Sequence, residues 1–125
     1  MFKINEDKSI YLTRGDVANI LVTASLPDGS LYTFKKGDIV RFKVFKRRDC
    51  GCVEIQKDTE VTEETTEVSV ILSGSDTKIG EIISRPTNYW YEVELNPDTA
   101  PQTIIGYDED GEKVFRLFPE GSELK

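Results

Sequence analysis

Apolar and polar residues alternate along most of this chain, the two-residue period of strands with one buried face. In "VANILVTAS", Ile20, Val22 and Ala24 fall on one side, and Asn19, Leu21 and Thr23 on the other. "DIVRFKVFK" sets Val40, Phe42 and Val44 against Arg41, Lys43 and Phe45, and "TEVSVILS" puts Val68, Val70 and Leu72 on its buried face. The clearest strand is "YWYEVEL", with Tyr89, Tyr91, Val93 and Leu95 inward and Trp90, Glu92 and Glu94 outward. "SIYLT", "LYTF" and "CVEIQK" read as further strands. "TIIGYDEDGEKVFRLF" reads as a closing hairpin whose turn is Asp108–Gly111, because Asp-Gly favours tight hairpin turns.

Turn signals punctuate these runs: Arg14-Gly15-Asp16, Pro27-Asp28-Gly29 and the Gly37 corner. "SGSDTKIGEI" breaks the alternation, and Ser75 or Asp76 there can cap one short helical turn over residues 75–80, ending near Gly80. No amphipathic helix longer than two turns is visible, nor any repeat or low-complexity tract. The expectation is an all-β fold of about eight or nine strands, residues 1–125 forming one domain. An antiparallel sandwich fits better than a closed barrel.

Charge changes the picture in two places. The net charge of −7 argues against phosphate-backbone binding, so no nucleic-acid partner is expected. The basic "RFKVFKRR" (41–48) is followed by the acidic "KDTEVTEETTE" (57–67), which reads as two neighbouring segments facing each other. Apolar runs are too short to span a bilayer, so no membrane partner is expected. "MFKINEDKSI" lacks the basic start and apolar stretch of a signal peptide, which predicts residence in the cytoplasm unless the protein leaves by another route, such as cell lysis.

Candidate chemistry is sparse. The chain has no histidine, which removes the usual general base and metal ligand. Cys50 and Cys52 are too few for a structural zinc site and too close for a relaxed disulfide, so "DCGC" reads as a hairpin loop. Paired carboxylates remain available among 23 acids, but most fall on outward strand positions or in turns. Asp108, Asp110 and Glu112 loosely resemble a calcium loop without its full ligand run, and a hairpin turn explains them better. The expectation is therefore no enzyme, no catalytic or metal-binding residues and no cofactor. Trp90 can stack on a sugar, or cover a neighbouring segment or partner subunit.

Arg14-Gly15-Asp16 invites an adhesion reading. The tripeptide occurs by chance in roughly one chain in thirty of this length. Its position says more, because apolar alternation ends at Leu12 and restarts at Val17. Gly15 suits a left-handed corner, so the three residues are expected to be a structural turn.

Taken in order, "IYLTRGDVANILVTA", "GDIVRFKVF", "VSVILSGSDTKIG", "YWYEVEL" and "QTIIGYDEDGEKVFRLFPEG" resemble the N-terminal domain of the phage baseplate upper protein family and related phage and prophage virion proteins. The shared elements are Leu12–Asp16, Gly37–Val44, Asp76-Thr77, Tyr89–Leu95 and Thr103–Gly106, covering nearly the whole chain. The resemblance implies an immunoglobulin-like sandwich and a non-enzymatic structural protein of the virion tail or baseplate, made in the bacterial cytoplasm. It implies partners among other tail or baseplate proteins and copies of itself as a homo-oligomer. An outward stripe of Leu21, Phe45, Ile71 and Trp90 is the candidate interface. The competing expectation is a carbohydrate-binding module in which Trp90 and loop tyrosines stack on bacterial surface glycans. Receptor adhesion through Arg14–Asp16 ranks third.

Overall fold

A computed structural model describes residues 2–5, 8–26, 28–46, 53–79, 85–106, 111 and 113–120. The "DCGC" stretch and the Asp108–Asp110 and Glu112 positions lie outside these residues, as does Gly80.

Among the described residues the chain forms strands and turns with no helix. The strands are β1 (Phe2–Ile4), β2 (Ile10–Thr13), β3 (Ala18–Val22), β4 (Ile39–Phe45), β5 (Val53–Glu60), β6 (Val68–Leu72), β7 (Thr87–Leu95), β8 (Gln102–Ile105) and β9 (Lys113–Phe118). One seven-stranded sheet runs β1-β2-β9-β7-β4-β5, with β8 also on β7; β3 and β6 form a separate two-stranded sheet.

Alternation sorts the side chains as the sequence pattern dictates. β4 buries Val40, Phe42 and Val44, β7 buries Tyr89, Tyr91, Val93 and Leu95, and β6 buries Val68, Val70 and Leu72. These rows join Ile20, Val22, Phe115 and Leu117 in a single core, so both sheets turn their apolar sides to one interior. Phe42 sits at its centre, tilted against Tyr91 at 5.5 Å and edge-on to Phe115 at 6.3 Å between ring centroids. Close packing of this kind makes the hydrophobic term dominate stability.

Several expectations are corrected. The large sheet is mixed rather than antiparallel, since β2 and β9 pair in parallel, Ile10 opposite Phe115 and Thr13 opposite Phe118. Inward and outward alternation is the same for either strand direction, so the pattern carries no information on this point. The expected helical turn over 75–80 is a tight turn instead. Ser73 and Asp76 bond reciprocally there: Asp76 Oδ2 accepts from Ser73 N at 2.9 Å, and Asp76 N donates to Ser73 Oγ at 3.2 Å. One i→i+4 bond follows, from Thr77 N to Ser73 O at 3.2 Å, and the helical pattern then stops. Those reciprocal bonds are helix-start chemistry, but Thr77 is committed elsewhere, as described below.

Among the described residues β8 and β9 do not pair with each other as the expected closing hairpin, whose turn lies outside those residues except for Gly111. β8 pairs with β7 at Val93–Leu95, and β9 pairs with the same strand at Thr87–Tyr91. Both run antiparallel to β7 and lie one after the other along it, so they run in the same direction and cannot form a hairpin. "LYTF" contributes only isolated bridges, Ser25 with Leu31 and Phe34 with Thr65.

Candidate interaction surface

Arg14-Gly15-Asp16 is a partly buried joint, with Arg14 buried and Gly15 and Asp16 half-buried. Asp16 N donates to Thr13 O at 3.0 Å, and Gly15 has φ of 90° at the third position, the geometry of a type II turn. Thr77, fully buried, reaches across from the Ser73–Thr77 turn. Its hydroxyl accepts from Gly15 N at 3.1 Å and lies within donating distance of Asp16 O (2.8 Å) and Gly74 O (3.1 Å). Arg14 is only 9% exposed; its Nε donates to Ile79 O at 3.3 Å, and its backbone NH donates to Phe118 O. A side chain at Gly74 would meet the Gly15 carbonyl oxygen at 2.7 Å, so two turns touch backbone to backbone. A receptor that must grip the Arg14 side chain finds it turned inward.

A second polar joint starts β4. The Asp38 carboxylate accepts from Lys35 N at 2.9 Å, Tyr32 OH at 3.0 Å and Asn96 Nδ2 at 3.2 Å. Partial burial works against its charge, but these donors outweigh it and hold the Asp38 carboxyl below the usual range. Asn96, at φ 48°, returns the favour to β4 by accepting from Ile39 N at 2.8 Å.

The outward face of the large sheet carries the remaining chemistry, and the strand register arranges it in rows. One row is Tyr11–Arg116–Asn88. The next is apolar and crosses four strands: Val114–Trp90–Phe45–Val53, the last pairing at a β-bulge. Then come Glu92–Lys43–Gln56 and Glu94–Arg41–Asp58. Trp90, Phe45 and Val114 are half-buried, and Val53 is exposed.

Opposite charges meet here, and the Arg41–Asp58 pair joins the basic and acidic segments expected to face each other. Arg41 grips Asp58 with two bonds, of 2.8 and 3.0 Å, and reaches Asp98 at 3.1 Å. The Arg41 bonds are the main reason the Asp58 carboxyl is held below its ordinary range, and the Arg41 pKa is raised in turn. Lys43 serves both Glu92, at 3.3 Å, and Glu94. Partial burial disfavours its charge, but the two carboxylates prevail and raise its pKa. Arg116 differs. Its guanidinium lies over Phe118 at 5.7 Å, and its buried Nε has no hydrogen-bond partner among the described residues. Phe118 also packs against Tyr11, centroids 5.5 Å apart.

The expected stripe of Leu21, Phe45, Ile71 and Trp90 divides into two pairs. Phe45 and Trp90 are cross-strand neighbours on the large sheet. Leu21 and Ile71 lie on the outward side of the β3–β6 sheet, both more than half exposed. The two sheets share one core, so these pairs occupy separate outer faces. The sequence reading missed Val114, Val53, Tyr11 and Arg116 as neighbours of the Trp90 pair, and outward parity alone could not have placed them without the strand order.

Elsewhere an open groove of about 350 Å³ is lined by Glu60, Glu63, Glu64 and Glu67 with Thr59, Thr62 and Thr65. Among the described residues no group of acids or cysteines is arranged to hold a metal ion, and no helix is long and apolar enough to cross a membrane.

Compared with known proteins, the chain has no significant match to a family model, a curated protein or a solved structure.

Proposed function

We propose that this chain is a non-enzymatic structural protein of a phage or prophage virion, in the tail or baseplate, working by assembly with copies of itself and neighbouring tail proteins. In this reading its two sheets form an immunoglobulin-like sandwich, and it is made in the host cytoplasm and carried in the virion. The observation that carries it is the structural role of the motifs behind the baseplate resemblance. The Arg14–Asp16 turn and the Asp76-Thr77 pair form one joint through the Thr77 hydroxyl. Asp38 of the "GD" strand anchors the end of the Tyr89–Leu95 strand through Asn96. These residues are absorbed by architecture, which leaves the outer faces for contacts.

Pull-down and light scattering against the tail proteins encoded beside this gene test the reading. A stable complex is expected, and failure to bind any of them under conditions where they assemble with one another refutes it.

A second reading, a carbohydrate-binding module, is favoured by Trp90 and Phe45 lying side by side with Asn88, Glu92 and Arg116 on adjoining rows, a stacking platform beside hydrogen-bonding groups. Glycan-array signal that disappears in Trp90→Ala would select it over assembly.

A further inference from the structure

We propose that the outward face of the large sheet is a self-association surface, two copies packing face to face about a two-fold axis that lies along the Val114–Trp90–Phe45–Val53 row. The inference rests on the assembly reading and names the partner for it.

Three observations point to a second copy. First, the row is continuous through the registers of β9, β7, β4 and β5, and it places the chain's single tryptophan beside Phe45. Aromatic anchors at the centre of a patch, ringed by polar groups, are the usual energetic core of an interface.

Second, charge is distributed unequally about that row. On one side four carboxylates, Glu92, Glu94, Asp58 and Asp98, share two cations, Lys43 and Arg41. On the other side stands Arg116, whose Nε finds no hydrogen-bond partner among the described residues, and Lys3 occupies the β1 position opposite Tyr11. An axis along the apolar row lays the cationic side of one copy over the acidic side of the other, twice. A two-fold contact has to be complementary to itself in this way.

Third, the size approaches what a stable pair needs. The thirteen positions of these four rows, each about 4.8 Å by 7 Å, give a face on the order of 450 Å² in projection. Side-chain relief raises this toward the roughly 800 Å² per partner of a standard interface. The Leu21–Ile71 pair, by contrast, has the uncharged Ser69 and Asn19 as its cross-strand partners.

Sedimentation equilibrium of the full chain over a concentration series, at low and high salt, tests the proposal. A monomer–dimer equilibrium weakened by salt is expected. Arg116→Glu and Glu92→Arg should each weaken dimerisation about tenfold or more, and the double variant should recover to within about threefold of the parent. Trp90 emission needs no variant: dilution should shift it to the red as the dimer dissociates. A parent chain that stays monomeric at its highest soluble concentration overturns the proposal, as does a double variant whose losses simply add. A monomer that still binds neighbouring tail proteins overturns the dimer and leaves the assembly reading standing. A dimer that binds none of them upholds the surface while the virion reading fails. Glycan binding at Trp90 by a monomer overturns both.

Discussion

The Arg14–Asp16 corner and the Trp90–Phe45 row reverse what their compositions suggest. The corner is a polar, charged tripeptide of the kind associated with exposed recognition loops, yet Arg14 is buried with its side chain bonded to Ile79 O, and the backbone is bonded to Thr77 and Phe118. The row is aromatic and aliphatic, yet it faces away from the core that holds Phe42 and Phe115. Residue type alone therefore misassigns both. A polar group is cheap to bury when every donor and acceptor finds a partner, and an aromatic is tolerated outside when neighbouring side chains shield part of it. The corner is built into the fold, whereas the row is the surface proposed for association.

The sharpest test of that contrast removes the Thr77 hydroxyl. Thr77→Val keeps the shape but leaves Gly15 N and Asp16 O without their buried partner, and it should cost about 2–3 kcal/mol in urea or thermal unfolding. Equal stability of the variant would mean that the joint contributes nothing to the fold. Gly15→Ala comes next, at about 1–2 kcal/mol, because φ of 90° is strained for any residue with a Cβ. The added carbon would also displace the Glu120 carboxylate, although a flexible side-chain end can move.

Trp90→Ala should do the opposite of both. It is expected to lower stability by about 1 kcal/mol or less, as for a partly exposed position, while removing most self-association by sedimentation. A loss as large as that of Thr77→Val would place the tryptophan among the structural residues and erase the distinction.

The smallest expected effect is on pH dependence. The carboxyls of Asp38 and Asp58 are held below the ordinary range, and so is that of Asp76, chiefly by the Ser73 backbone NH. A depressed carboxyl pKa in the folded state stabilises above the unfolded value of about 4, and that contribution fades as pH falls through the folded value. Melting temperature should therefore hold steady from neutral pH to about pH 5 and decline below about pH 4. Asp38→Asn should flatten part of the decline; an unchanged acid limb would show that the donors around Asp38 add no charge-dependent stability.

Much of the local structure was legible in the chain. The inward rows of β4, β6 and β7, the corner at Gly15 and the pairing of basic and acidic segments through Arg41 and Asp58 all follow from alternation, glycine placement and charge. The outer site was legible only in part, since Phe45 and Trp90 were recognisable as outward apolar residues but not as neighbours. Leu21 and Ile71 carried the same outward signal and lie on the other sheet. The Ser73–Asp76 turn misled because its reciprocal bonds are those of a helix start, and only the Thr77 contact with a turn some sixty residues away explains its short length.

By itself, then, the sequence determined which side chains face inward and where the chain can bend, because both depend on residues within a few positions of one another. The tertiary structure decided which strands are neighbours, that β2 runs parallel to β9, that β8 and β9 lie in succession along β7, and that four strands align one apolar row. Those outcomes depend on contacts between distant segments competing for the same sheet positions, and a two-residue period reads the same whichever neighbour wins.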